Sequence, residues 1–367
     1  MTTAYPEILE LLEQIDAIAY GRTRNFIDGA VTRLSPYISR GVISLPMVKA
    51  AVLKKFSRNQ SEKLLQELAW REYWQRVWEA KGDAIFTDLK MAQTGVVNQQ
   101  VPAAIVHAAT GITAIDNSIR ELYATGYMHN HCRMYVAAIT CNKARVHWWQ
   151  PARWLYYHLL DGDLASNSLS WQWVAGTFSS KKYYCNQENI NKYCHTNQQN
   201  TFLDKGYDVL PTMQIPEALS ATIECNLTTS LPATPTPVLN PQWPTLVYNA
   251  YNLDPLWHRD EQVNRVLLLE PSHYQQYPVI EKVMQFIIAL SGNIPGIQVY
   301  RGAFTDLQQL AGNSTVIFKR HPAFSHYQGI AESPDYMFPQ VSGYFGSFFA
   351  YWKKCERHLS SHKLSEP

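Results

Sequence analysis

Long apolar runs are missing from this sequence of 367 residues, which contains no stretch of about 18 consecutive apolar residues. Its first residues, Met1 to Glu7, lack the basic and apolar regions of a secretory signal. We therefore predict no membrane segment and a cytoplasmic location.

Cysteine is scarce and scattered. The chain has six cysteines and no Cys-x-x-Cys pair, so we expect reduced, mostly buried thiols and no disulfide framework. His129 and His131 stand two residues apart, and on a helix their side chains would point about 200° apart. No metal site is predicted.

Charge of one sign is also limited, because the formal net charge is only +2. Residues 1–200 hold 21 Lys or Arg against 16 Asp or Glu. This mildly basic balance permits contact with a polyanion but does not require it.

Aromatic and polar side chains are concentrated between Asp161 and Trp173, a stretch that holds two carboxylates, two carboxamides and two indoles. Groups able to hydrogen-bond a heterocycle edge thus lie beside electron-rich rings, as a bound aromatic cofactor requires.

A second mixed face lies on a long helix predicted from Ser61 to about Ala80. Glu67, Trp70, Arg71, Trp74 and Trp78 recur at helical spacing and share that face. Two interpretations stay open: a helix half-buried against a neighbour with an ordinary ion pair, or the wall of a cavity.

Four motifs together resemble the photolyase/cryptochrome family, in the family's order and over roughly residues 1–200. They are Val31–Tyr37, Glu67–Tyr73, Thr125–Met134 and Asp161–Trp173. The resemblance implies FAD as cofactor, with an antenna chromophore left unknown. It assigns cofactor contacts to Tyr20, Thr32, Arg33, Leu34, Ser35, Arg71, Asn130, Arg133, Asp161, Asp163 and Asn167.

The same resemblance implies a substrate surface and catalytic residues. The residues expected to contact a pyrimidine dimer are Glu67, Trp70, Asn130, His131, Met134 and Trp173. The catalytic assignments are Glu67, Asn167, Trp148 and Trp171, with the two tryptophans relaying electrons to the flavin. The family commonly has a tryptophan shortly before a Thr-Gly pair, here Thr110-Gly111, but this chain has none between Trp78 and Trp148. The family's outermost relay tryptophan has no obvious counterpart; Trp74, Trp78 and Trp149 are candidates for its role.

The predicted fold class is mostly α, a photolyase/cryptochrome-like FAD-binding helical domain, plus a smaller C-terminal α/β domain. The predicted domains are 1–210, a proline-rich linker at 211–244, and 245–367. In the last, short apolar runs suited to strands, at residues 245–251, 263–269, 297–300 and 315–319, alternate with helical patterns. Earlier in the chain we predict one helix over residues 5–20, a helix cap at Ser35 and a helix that ends at Gly126. The family usually carries an α/β antenna domain before the flavin domain; here we expect residues 245–340 to form a relocated or unrelated unit.

The implied function is blue-light-driven repair of pyrimidine dimers in DNA by electron transfer from reduced flavin, a deoxyribodipyrimidine photolyase-like lyase activity. DNA containing such dimers is the expected partner. The alternative is a cryptochrome-like photoreceptor without repair activity, with a protein partner acting through the C-terminal domain. A structural relative without flavin is the third interpretation.

Overall fold

The computed structural model describes residues 1–359. Over this range the chain forms two compact units. The first unit comprises residues 1–17, residues 32–73 and the chain from Thr228 onward; the second comprises residues 18–31 and 74–227. These units are groups of segments that lie close together in space. The predicted domain boundaries at residues 210 and 244 stay a prediction.

The secondary structure is mainly helical, with one substantial sheet. The helices are α1 (Tyr5–Glu13), α2 (Ala17–Thr23), α3 (Ser35–Ser39), α4 (Leu45–Lys55), α5 (Arg58–Lys81), α6 (Ala103–Val106), α7 (Thr113–Thr125), α8 (Asn130–Ala138), α9 (Trp149–His158), α10 (Leu164–Ala175), α11 (Gln187–Cys194), α12 (Pro271–Gln276), α13 (Glu281–Ser291), α14 (Phe304–Ala311) and α15 (Phe348–Leu359). The strands are β1 (Val101–Pro102), β2 (Thr222–Ile223), β3 (Thr245–Tyr248), β4 (Asn264–Leu269), β5 (Ile297–Arg301), β6 (Val316–Lys319) and β7 (Ile330–Glu332). Short 3-10 turns and one π-helical turn connect them at Gly82–Phe86, Ile139–Lys143, Leu210–Thr212, Glu217–Leu219 and Pro322–Phe324.

Local sequence signals fix several helix ends. The carboxylate of Asp163 accepts a hydrogen bond from the Ser166 amide at the start of α10, and the Ser44 hydroxyl accepts from Met47 at the start of α4. Gly126 and Gly176 end α7 and α10 in the left-handed conformation that glycine adopts readily.

The first unit contains a five-stranded parallel sheet in the order β5-β4-β3-β6-β7. Val247 of β3 lies opposite Val266 of β4, and both strands are fully buried, as expected of central parallel strands. The order is that of a doubly wound sheet, with its topological switch point between β3 and β6.

The second unit is helical apart from the small antiparallel pair β1–β2. Its core is formed by α7, α8, α9 and α10 and includes Trp148, Trp154 and Trp171. The predicted fold class, a helical domain plus a smaller α/β part, is confirmed.

Two local predictions were wrong. The single helix expected from Tyr5 to Tyr20 is broken after Glu13, and the break allows both Ile15 and Ala17 to become buried. Ser35, expected as a helix cap, lies inside α3, and Leu34 occupies the cap position without a side-chain hydrogen bond.

No helix within residues 1–359 combines the length and apolarity needed to cross a bilayer. In the same range, no group of three or more His, Cys, Asp or Glu side chains is arranged to hold a metal ion.

Candidate functional site

Asp163 connects α10 to α5 inside the second unit. Its Oδ1 accepts from the backbone N–H of Ser166 at 2.7 Å and its Oδ2 from Nε2 of Gln75 at 2.6 Å. The carboxylate is buried, so these donors replace its lost water. Asp163 therefore fixes where α10 begins, and its predicted contact with a flavin edge stays a prediction.

Asp161 and Arg133 form a largely buried ion pair. Nη2 of Arg133 lies 3.0 Å and 2.9 Å from the two carboxylate oxygens of Asp161, and its Nε donates to the carbonyl oxygen of Met128 at 2.8 Å. The structure thus brings together two residues that were predicted from separate motifs. The pair fixes the start of α8 relative to the segment before α10.

Asn167 presents a carboxamide with a defined orientation. Its Nδ2 donates to the carbonyl oxygen of Ala152 at 2.8 Å, and within residues 1–359 no group donates to its Oδ1. The neighbouring hydroxyl of Ser166 is buried and has no partner in the described part of the chain. The Oδ1 of Asn167 and the hydroxyl of Ser166 thus lie in one helical turn without hydrogen-bond partners in the described residues. Such groups suit the polar edge of a flavin ring.

The entrance to α8 differs from the prediction at His131. Burial, together with smaller contributions from the nearby His129 and Arg24, lowers the pKa of His131 to about 4. Its ring packs against Tyr135 and Tyr193, with centroids 4.8 Å away in each case. His131 is therefore neutral at neutral pH, and its predicted contact with the substrate stays a prediction.

The other predicted residues of the second unit are partly accessible. Asn130 is exposed at the start of α8, whereas Tyr20, Met134 and Trp173 are half-buried. The Trp173 ring lies 5.9 Å from that of Tyr183. These positions permit contact with a ligand, and their predicted roles stay predictions.

The first unit carries the remaining predicted cofactor residues. Nη2 of Arg71 donates to the Ser39 hydroxyl at 2.6 Å, which fixes α5 to the end of α3. Arg33 is exposed and adopts a left-handed backbone with φ of 53°. The side chain of Leu34 is fully buried, so any ligand contact must use its backbone. Thr32 and Ser35 are half-buried.

The Trp148 indole is completely buried and has a partner that the sequence did not reveal. Its Nε1 donates to Oδ1 of Asp88 at 2.7 Å, and Nε2 of His147 lies 3.2 Å from the same oxygen. Trp148 and Trp171 belong to one hydrophobic cluster. Trp149, a candidate for the missing relay residue, contacts Trp148 with ring centroids 5.5 Å apart.

The two other candidates for that role have different neighbours. The Trp78 ring is buried and lies 5.7 Å from Phe86, whose ring is 5.4 Å from Trp149. The Trp74 ring lies 5.2 Å from Phe178. Trp149 is thus the candidate in ring contact with Trp148.

Two predicted substrate residues lie on α5 in the first unit, and one of them is already stacked. The Trp70 ring lies 3.9 Å from the Phe348 ring of α15, at an angle of 11°. Glu67 is half-buried. Sequence reasoning missed Phe348, because a contact between residues so distant in the chain leaves no local pattern.

Glu72, also missed, anchors the C-terminal part of the first unit. Its carboxylate accepts from the Tyr351 hydroxyl at 2.7 Å, from the Phe338 amide at 3.1 Å and from the Met337 amide. Burial and this carboxylate raise the pKa of Tyr351, so the phenol stays a hydrogen-bond donor.

A surface groove in the first unit does not involve the predicted site. Apolar side chains from the proline-rich segment and the edge of the sheet line it, including Pro232, Pro235, Pro237, Ile288 and Val299.

Comparison with known proteins identifies the central part of the chain. Residues 64–207 match the family model described as the FAD binding domain of DNA photolyase. The chain is 34% identical over 156 residues to a deoxyribodipyrimidine photo-lyase of Streptomyces griseus, covering 40% of this chain and 32% of that protein. It is 29% identical over 167 residues to a cryptochrome DASH of Gloeobacter violaceus, covering 43% and 33%.

A solved structure, the Synechocystis cryptochrome, aligns with a TM-score of 0.48 at 24% identity, covering 53% of this chain and 44% of that one. Each curated relative described above is matched over about one third of its length.

These matches define residues 64–207 as a photolyase-type FAD-binding domain. Over this part of the chain, the predicted resemblance to the photolyase/cryptochrome family and the predicted cofactor, FAD, are confirmed. Tyr20 and the residues Thr32 to Ser35 lie outside the matched range, so their roles stay predictions.

Proposed function

We propose that this protein is an FAD-dependent lyase that splits pyrimidine dimers in DNA under blue light. The names of its photo-lyase relatives and the match of residues 64–207 to a photolyase FAD-binding domain support this proposal. The observation that carries it is the carboxamide of Asn167, whose oxygen is left as an acceptor for a flavin N–H. The predicted cytoplasmic location agrees with it and stays a prediction.

Bound FAD supplies absorption of blue light and one-electron transfer. In the second unit, Asn167 would accept from the ring, and the Arg133–Asp161 pair would hold the start of α8 in place. Asn130, Asp163 and Tyr20 complete that part of the proposed site. In the first unit, Arg71 and Thr32 to Ser35 would supply phosphate contacts, because a guanidinium and backbone N–H groups suit anions.

The dimer enters as nucleotides turned out of the DNA helix. In the first unit, Glu67 would hydrogen-bond a base edge and Trp70 would offer a stacking surface. In the second unit, Met134 and Trp173 would offer apolar or stacking contact. His131, being neutral, contributes shape and a hydrogen-bonding ring nitrogen and no charge. Asn130 is the exposed polar residue that meets both cofactor and substrate in this proposal.

The experiment is illumination of the purified protein with a reductant and dimer-containing oligothymidine. A flavin absorption spectrum and loss of dimers in the light only are expected. Absence of flavin, or dimer loss at equal rates in dark and light, would overturn the proposal. Trp243→Phe is the matched control for the Trp148→Phe and Trp149→Phe variants described below, since the Trp243 indole is partly exposed and lies outside the FAD-binding domain.

A cryptochrome-like photoreceptor is the second candidate, and the Phe348–Trp70 stack favours it. An aromatic ring of the protein already occupies a face of the indole on which a base would stack. A photoreceptor would use the same flavin and signal through the C-terminal part. A flavin that is photoreduced while the dimers remain intact would support this candidate against the first.

A further inference from the structure

The Trp148 indole and the Asp88 carboxylate form a fixed pair. The indole Nε1 of Trp148 donates to Oδ1 of Asp88 at 2.7 Å. Oδ2 of Asp88 accepts from the backbone N–H of Gln93 at 2.8 Å. Gln93 in turn accepts from the backbone N–H of Trp148 at 2.9 Å through its Oε1. The geometry is therefore held from both sides, and the indole itself is fully buried.

The neighbouring indole has the opposite electrostatic environment. The guanidinium of Arg153 lies over the Trp149 ring, 5.8 Å from its centroid. A nearby cation disfavours removal of an electron from a ring, whereas a nearby carboxylate favours it. Trp148 is therefore easier to oxidise than Trp149, although Trp149 is the more exposed of the two.

We infer that Asp88 accepts the indole proton of Trp148 when Trp148 gives up an electron, so that Trp148 is the end of the electron relay. The inference rests on the proposed light-driven reduction of the flavin through Trp171. One electron passes from Trp148 to oxidised Trp171, and the proton on Nε1 passes to Oδ1 of Asp88. The products are neutral Trp171, a neutral Trp148 radical and a protonated Asp88.

The chemical reason is the change in acidity of the ring. An indole N–H is a very weak acid, but the radical cation left after loss of one electron is a strong one. A carboxylate already hydrogen-bonded to that proton can take it without any movement of heavy atoms. The electron cannot return to Trp148 until the proton also returns, so the separated charges last longer.

A route for the proton leads outward from Asp88. Nε2 of His147 lies 3.2 Å from the same oxygen, and the side chains of His147 and Asp88 are 22% and 21% exposed. The proton can thus reach solvent through His147. An electron from an external thiol reductant, and a proton that returns from solvent through His147 and Asp88, then restore the Trp148 indole.

The discriminating variant is Asp88→Asn, which keeps an oxygen able to accept from the indole but cannot hold a proton. In FAD-loaded protein, a laser flash should produce the neutral Trp148 radical in wild type and the protonated radical cation in the variant. Asp88→Glu should restore the neutral radical. Trp148→Phe should abolish this signal, and Trp149→Phe should leave it unchanged.

A second readout uses the protein without flavin. The indole N–H resonance of Trp148, assigned through Trp148→Phe, should be shifted far downfield by its short bond to a carboxylate. Asp88→Asn should move this resonance upfield and leave those of the other indoles in place. An unchanged Trp148 resonance would overturn the inference without any reference to light.

The possible failures are distinguishable. If wild type gives no tryptophan radical after a flash, the proposed light-driven relay fails and the inference fails with it. If wild type and Asp88→Asn give radicals in the same protonation state, the relay stands and Asp88 is not its proton acceptor. If Trp149→Phe removes the neutral radical, the relay ends at Trp149 and the inference is wrong.

Discussion

Several carboxylates in this protein are buried or partly buried and accept hydrogen bonds from nearby donors. Glu72 is 1% exposed and has three donors, and Asp161 is paired with Arg133. Asp88 accepts from Trp148 and Gln93. The positions of Trp148 and Asp161 could be predicted from motifs. Their partners could be predicted only in part, because Asp88 lies 60 residues from Trp148 in a loop without periodicity.

Substitution of Glu72 by Gln should destabilise the protein. A carboxamide presents only one acceptor oxygen and places its NH₂ against one of the donors that the carboxylate now satisfies. Leaving a buried donor unsatisfied costs about 1–3 kcal/mol in free energy of unfolding, measurable by urea denaturation. Glu356→Gln is the control, since its partly exposed ion pair with Arg58 is worth less than about 1 kcal/mol. Equal losses in both variants would contradict this account.

Replacement of Asn167 by Asp should weaken FAD binding by about 1–3 kcal/mol, roughly 5- to 150-fold. The new carboxylate cannot donate to the Ala152 carbonyl, and its charge repels an electron-rich flavin. FAD content and a binding titration measure the effect. Asn117→Asp, an exposed change on α7, should leave FAD binding unchanged. Unaltered affinity in the Asn167 variant would remove Asn167 from the site.

His273 should make the protein less stable in acid. Burial lowers its pKa to about 3 from an ordinary value of 6.5, with smaller contributions from the nearby His321, Arg40 and His326. Because the folded state binds the proton more weakly than the unfolded state, stability is full above pH 7 and declines as the pH falls from about 6.5 toward 3. His273→Phe should reduce the difference between the urea midpoints at pH 7 and pH 5. An undiminished difference would show that other groups cause the acid sensitivity.

At the scale of elements, a helix end can be predicted where a capping residue next to it in the sequence marks it. The helix predicted to end at Gly126 does so, and four of the strands were expected close to their observed positions. The strand β7 and the helix α12 were missed because each is short and lacks a clear period. The stacking of α15 on α5 could not be predicted, since it depends on tertiary packing between distant segments.

Phe348 of α15 should compete with a base for Trp70. Phe348→Leu keeps apolar volume while removing the aromatic stack, which is worth about 0.5–1.5 kcal/mol. Affinity for dimer-containing oligothymidine should therefore rise by roughly 2- to 13-fold, as measured by fluorescence anisotropy.

The matched control for this substitution is Phe349→Leu, because Phe349 is the adjacent residue and is 70% exposed. It should leave the affinity unchanged. Weaker binding by Phe348→Leu, with Phe349→Leu like wild type, would show that Phe348 supports the substrate surface and does not compete for it.

At the scale of the whole molecule, the fold class was predictable and the grouping of its segments was not. Alternating strands and helices after residue 245 correctly indicated an α/β sheet, and the motifs before residue 210 correctly indicated a helical FAD-binding domain. Residues 32–73 nevertheless belong to the same compact unit as the sheet. Their side chains, such as Glu72 and Tyr37, find partners in the C-terminal part, and long-range partners leave no trace in local periodicity.

The most direct test of the central claim bypasses the tryptophan relay. Protein loaded with FAD is reduced chemically without oxygen, mixed with dimer-containing oligothymidine and illuminated with blue light, and the remaining dimers are counted by chromatography. The proposed function predicts that dimers disappear in the light and persist in the dark. Dimers that persist in both, although the flavin is reduced and bound, would contradict a repair function.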